Sequence, residues 1–176
     1  MQLRDYQINL KNNAYRSWQA GNRNVLLVSP TGSGKTVVMS SVAHEMTTPG
    51  VAIAHRTELV GQISLAMARM GIEHNVIGSK STVSFCIQQQ IAELGRNYHR
   101  KNGRVTVASV DTLNSRSAAL QQWASQQRWW MTDECFVAGT RISTPTHGPV
   151  GPRWRPHFGN RLRRIAQPQT HRQQPA

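Results

Sequence analysis

The stretch Val25-Leu26-Leu27-Val28-Ser29-Pro30-Thr31-Gly32-Ser33-Gly34-Lys35-Thr36 joins an apolar run to a glycine-rich loop, and a helix-forming run from Val37 to Glu45 follows it. Strand, loop and helix in that order make the setting of a phosphate-binding loop. Gly32 and Gly34 allow the backbone to curl so that successive N–H groups point inward at phosphate oxygens. Thr31 and Ser33 belong to the same cradle. The helix behind it adds the positive end of its dipole. Lys35 supplies a point charge for β- and γ-phosphates, and the Thr36 hydroxyl suits Mg²⁺. Ser29 stands where the first glycine of the strict pattern is usual.

Working outward, residues 2–20 read as a helix with Leu3, Tyr6, Ile8, Leu10, Ala14, Tyr15 and Trp18 on a partly apolar face, closed by Gly21-Asn22. Val25–Val28 is expected to be a strand, and the helix after the loop to run to about Met46. Thr47–Gly50 turns the chain into a short apolar strand, Val51–Ala54, and a helix is expected from Thr57 to Met70. Asn75–Ile77 and Val83–Phe85 are weaker strand candidates, Gln88–Leu94 is helical, and Gly95–Gly103 is a polar, basic loop. Val105–Ala108 reads as a strand, Leu113–Gln127 as a helix, and Trp129–Met131 as a last strand leading into Asp133-Glu134. Alternating strands and helices predict an α/β fold with a parallel sheet. Ligands in such sheets sit at the carboxyl ends of the strands, where the loop at Ser29–Thr36 falls.

The net charge is +13 over 176 residues, and it is unevenly spread. Residues 1–134 carry 14 Lys and Arg against all 8 Asp and Glu; residues 135–176 carry 7 Arg and no acid. Such a balance favours a polyanion such as nucleic acid as partner, although a merely solvated basic surface has the same charge. Cys86 and Cys135 stand too far apart for a disulfide framework or metal-ligand spacing, which fits a reducing, cytoplasmic setting. No apolar run reaches the roughly 20 residues that span a bilayer, so no membrane partner is expected. From about Thr144 the chain turns to Pro, Arg, Gln and His without helix or strand period, the composition of a disordered C-terminal tail.

The order of short motifs adds a resemblance. Leu3-Arg4-Asp5-Tyr6-Gln7, Ser29–Thr36, Ala54 to Gln62, Val107 to Leu113, and Thr132-Asp133-Glu134 follow one another as they do in superfamily 2 helicases. The likeness is greatest to the DEAD/DEAH-type, restriction-enzyme-related branch, over the first of its two RecA-like domains. It implies a P-loop, RecA-like three-layer fold, ATP and Mg²⁺ as cofactors, and nucleic acid, DNA in preference to RNA, as partner. It places Lys35 and Thr36 in the nucleotide motif, and Asp133 and Glu134 in the D-E box, with Asp133 holding Mg²⁺ and Glu134 polarising water. His55, Arg56 and Gln62 fall in one strand-contacting motif, Ser109 and Thr112 in the next, and Gln7 at the glutamine that reads adenine. The two middle motifs follow strands, so their hydroxyl and N–H groups can face a phosphate chain.

The box breaks after Glu134. Cys135-Phe136-Val137-Ala138-Gly139-Thr140-Arg141-Ile142 resembles the opening block of an intein, with Cys135 as nucleophile for an N-to-S acyl shift at the Glu134–Cys135 bond. That likeness stops near Val150. The sequence thus divides into an incomplete ATP-binding domain at 1–134, an intein start at 135–150 and a basic tail at 151–176. The tail reads either as a frameshift or truncation product, with the second helicase domain in another frame or lost, or as a genuine basic tail that binds nucleic acid. The expected function is nucleotide binding with feeble hydrolysis, no unwinding and an inert splice junction. A non-enzymatic basic nucleic-acid-binding fragment, and a P-loop ATPase of another kind, remain open alternatives.

Overall fold

The computed structural model describes residues 2–133. The expected Glu134, the Cys135 junction and the whole basic tail lie outside the described residues. The elements run in the order α1 (Asp5–Gln19), α2 (Lys35–Glu45), β1 (Gly50–Ala54), α3 (Thr57–Arg69), β2 (His74–Ile77), α4 (Lys80–Leu94), β3 (Val105–Ser109), α5 (Val110–Ser115), α6 (Ser117–Ser125) and β4 (Trp129–Thr132). The four strands form one sheet in the order β2-β3-β1-β4, and every pairing is parallel. The α/β class with a parallel sheet is therefore as the alternation of elements implied, and it is consistent with a RecA-like fold.

β1 and β3 are buried along their whole length. This is why β1 reads as a short apolar run and not as an alternating one; β3 buries Thr106 and Ser109 among its apolar residues. Helices cover both faces. On one, Met39 and Ala43 of α2, Val60, Ile63 and Met67 of α3 and Cys86 of α4 pack on Ala52, Ala54, Val76, Val105 and Val107. On the other, Leu113, Leu120 and Trp123 of α5 and α6 pack on Val51, Ile53 and Ala108. Each residue of β1 or β3 turns to the face opposite its neighbour, so five residues serve two cores. The buried α3 residues Val60, Ile63 and Met67 follow the helical period.

Two strand expectations are corrected. Val25–Val28 is not a strand: it pairs with no strand among the described residues, and Leu26 and Val28 are 56% and 80% exposed. Its composition suits a buried strand, but a strand exists only through a ladder with a neighbour. Val83–Phe85 is not a strand either, since it lies within α4. Ser79 caps that helix by accepting a hydrogen bond from the Thr82 N–H at 3.1 Å, and Gly95 closes it with φ +66°. The stretch Leu113–Gln127 is helical as expected, divided into two helices at Arg116, whose φ of −111° and ψ of 19° depart from helical values. The α1 helix ends as its Gly21-Asn22 signal implied, with Gly21 at φ +89°.

Candidate nucleotide and nucleic-acid site

Gly34 is the N-cap of α2 and sits in the left-handed region at φ 78°, ψ 39°; Gly32 also has φ 78°. The loop is tightened by the Ser33 N–H donating to the Pro30 carbonyl at 3.2 Å and by Ser29 Oγ on Ser33 Oγ at 2.6 Å. Lys35 opens the helix. Its ammonium donates to the carbonyls of Ser29 at 3.2 Å and Pro30 at 3.1 Å. Among the described residues no carboxylate pairs with it. A helix N-terminus, left-handed glycines and a cation without a counter-anion fit the phosphates of a nucleotide.

Helix α1 holds this loop from outside. The Gln7 amide nitrogen donates to the Ser33 carbonyl at 3.0 Å and its amide oxygen accepts the Arg4 N–H at 3.0 Å. The Tyr6 hydroxyl donates to the same Ser33 carbonyl at 2.8 Å. Gln7 is 6% exposed, so both ends of its amide are engaged within the protein. Tyr6 was missed from the sequence as a loop contact, although it adjoins Gln7 in the first motif. At the other end of α2, Lys11 Nζ meets Glu45 Oε1 at 2.5 Å and the Tyr15 hydroxyl donates to Glu45 Oε2 at 2.7 Å. The Lys11 hydrogen bond holds the Glu45 carboxyl below its ordinary value, while burial and Glu45 push the Tyr15 phenol up. α1 is thereby clipped to both ends of α2.

The carboxyl ends of the strands bring the other motif residues together. Ala54 of β1 is in register with Ser109 of β3, so His55 and Arg56 leave the sheet beside Ser109 and α5, which carries Thr112. His55, Arg56 and Gln62 are exposed, Thr112 is partly exposed and Ser109 is 8% exposed. Asp133 follows β4, and its N–H donates to the Ile53 carbonyl at 3.1 Å, which places it at the same end of the sheet. α2 runs back toward the start of β1, so its N-terminal loop lies at this end too. Among the described residues no three His, Cys, Asp or Glu side chains cluster as a metal site. Thr36 and Asp133, both partly exposed, form a hydroxyl–carboxylate donor set of oxygen atoms, the kind that Mg²⁺ accepts alongside substrate phosphates and water.

A parallel α/β domain with a phosphate-binding loop facing the carboxyl ends of its strands defines a P-loop nucleotide-binding protein. The ResIII family model, described as type III restriction enzyme, res subunit, matches residues 1–146. The chain belongs to that family, and the domain is a helicase-like ATP-binding domain of the restriction-enzyme kind. Helicase-like domains use ATP, typically with a divalent metal, and act on nucleic acids. No curated protein matches the chain. No helix among the described residues is long and apolar enough to cross a membrane.

Proposed function

We propose that this chain binds Mg·ATP at Thr31–Thr36 and couples it to a nucleic-acid strand at His55, Arg56, Gln62, Ser109 and Thr112. The observation that carries this reading is Lys35, which stands at the α2 N-terminus behind a left-handed Gly34, with carbonyls and, among the described residues, no carboxylate as partners. The loop N–H groups and Lys35 bind the triphosphate. Thr36 and Asp133 would hold the metal, which when bound neutralises charge on the β- and γ-phosphates. Glu134 is assigned to orienting the attacking water. Gln7 belongs to the nucleotide site, and its grip on Ser33 ties α1 to the loop. DNA is favoured as the strand because the family is one of restriction enzymes.

By the same reading Cys135 begins an intein block at the Glu134–Cys135 bond. That assignment rests on the residue order alone, and the bond is expected to be stable to added thiol. Incubation with dithiothreitol followed by intact-mass measurement checks it: a product ending at Glu134, absent in Cys135→Ala, would show an active junction.

Titration with a fluorescent ATP analogue in Mg²⁺ tests the nucleotide site. Lys35→Ala removes the loop's only cation, and a loss of at least about tenfold in affinity is expected for one charge-assisted contact. Equal affinity in both proteins would sink the site assignment.

A further inference from the structure

The opposite end of the sheet carries a feature that the nucleotide site does not use. Pro49, Arg104 and Gln127 stand just before β1, β3 and β4, and between these amino ends lies an open pocket of about 230 Å³. Thr106 of β3, Trp123 of α6 and Lys101, Asn102 and Gln126 line it as well. α2 spans the layer between the two ends with 11 residues, which at 1.5 Å per residue separates this pocket from the phosphate loop by about 16 Å.

Its electrostatics are one-sided. The charged residues that line it are Lys101 and Arg104, with no acid beside them in the lining. Asp111 and Arg116 flank the far end of β3, and the acids Glu73, Glu93 and Glu45 are engaged in ion pairs of their own. Glu73 pairs with Arg96 and Arg100 at 3.2 Å each, and Glu45 with Lys11. Lys101 has no ion pair among the described residues and is exposed. Among the described residues the Arg104 guanidinium donates only to the Ala43 carbonyl, at 3.4 Å. Beside these cations the pocket offers an indole, held edge-on by Trp130 at 6.3 Å between ring centroids, and side-chain amides. Cations for phosphates, an aromatic face for a base and amides for base edges are the three elements that bind a single strand.

We propose that this pocket is a second nucleic-acid site, which takes a phosphodiester and adjoining base of a single strand at the amino ends of the strands. It is separate from the phosphate loop and from the strand contacts proposed at the carboxyl ends. A strand held there reaches the domain from the face opposite the nucleotide, so its binding does not depend on Lys35.

The test uses the full chain and a fluorescein-labelled oligo-dT 12-mer, with anisotropy measured over a series of salt concentrations. Lys101→Gln should make the plot of log K against log salt shallower by about 0.7 to 1, the effect of one lost phosphate contact. Arg23→Gln removes an exposed charge of the same sign that is not part of the pocket lining and should leave the slope unchanged. The Lys101 effect should persist in the Lys35→Ala background, which separates it from failure of the nucleotide site. An oligonucleotide carrying 5-iodouracil should photocrosslink within residues 101–106 or 123–127, which line the pocket and exclude Ser109 and Thr112. Equal slopes for Lys101→Gln and wild type, or crosslinks that avoid both segments, would overturn the proposal. So would displacement of the oligonucleotide from the pocket by millimolar inorganic phosphate, since the pocket would then be a small-anion site only.

Discussion

A single backbone conformation at Gly34 shapes the nucleotide loop. A methyl group there would lie 2.5 Å from the Gln7 amide nitrogen, and φ of 78° is unfavourable for any residue with a Cβ. Gly34→Ala should therefore cost about 1–2 kcal/mol in urea unfolding and also weaken the ATP analogue, because Gln7 must leave Ser33. A variant of unchanged stability and affinity would show that the loop does not need this conformation. A second residue, His74, is fully buried on β2. Its Nδ1–H faces the Ile72 carbonyl at 2.8 Å, so that nitrogen is the donor and Nε2 accepts the Ser64 hydroxyl at 2.8 Å. Gln90 in turn donates to Ser64 at 2.8 Å and accepts the Tyr98 N–H at 2.7 Å. Burial pushes the imidazole down to about 4. Between pH 6.5 and about 4 the unfolded chain binds the proton that the folded one refuses, so stability is full above this window and falls as pH drops through it. Going from pH 7.5 to 5.5 should remove about 1 kcal/mol. His99 is lowered by burial too and acts in the same direction. Urea midpoints for His74→Asn should show a smaller loss over this range; an unchanged loss would assign the effect to other groups.

At the scale of elements, the helices are set by their ends as much as by their faces. α4 begins where Ser79 accepts the Thr82 N–H. Ser79→Ala should cost about 1 kcal/mol, the usual worth of an N-cap, and thermal unfolding should register it without loss of secondary structure. The pairing of α1 with α2 has a functional reading as well. Tyr6 and Gln7 both donate to the Ser33 carbonyl, so Tyr6→Phe leaves that oxygen with Gln7 alone. It should lower affinity for the ATP analogue a fewfold, in line with about 1 kcal/mol for one neutral hydrogen bond. Tyr6→Phe with unchanged affinity and Gln7→Ala with none lost would mean that α1 packs against the loop without tuning it.

For the whole molecule the charge distribution sets the partner. The seven arginines of residues 135–176 meet no acid in that segment, so deleting residues 144–176 should flatten the salt dependence of nucleic-acid binding strongly. Binding isotherms at several salt concentrations check this, and an unchanged slope would remove the tail from the interaction. The Lys101 effect should survive the deletion, because the pocket between the strands' amino ends is built from other residues.

Local chemistry made much of this protein legible. The left-handed glycines, the lysine after them and the periodic stripe of α3 are properties of a few neighbouring residues, and they lie in the structure where the sequence put them. The short apolar run of β1 and the β-branched Val105-Thr106-Val107 of β3 likewise announced strands; that both are buried along their length is a finding of the structure. Tertiary structure decided the rest. Val25–Val28 has the composition of a strand but no ladder among the described residues, and no residue within the run could reveal that. Val83–Phe85 has β-branched and aromatic residues, yet the Ser79 cap and the packing of Cys86 on the sheet draw it into α4. Tyr6 and Gln7 reach Ser33 only because α1 docks on α2, and Lys101, Arg104 and Trp123 meet only where the strands' amino ends converge. Helices, caps and turns are governed by contacts a few residues apart, whereas pairing and pockets depend on which distant segments the fold brings together.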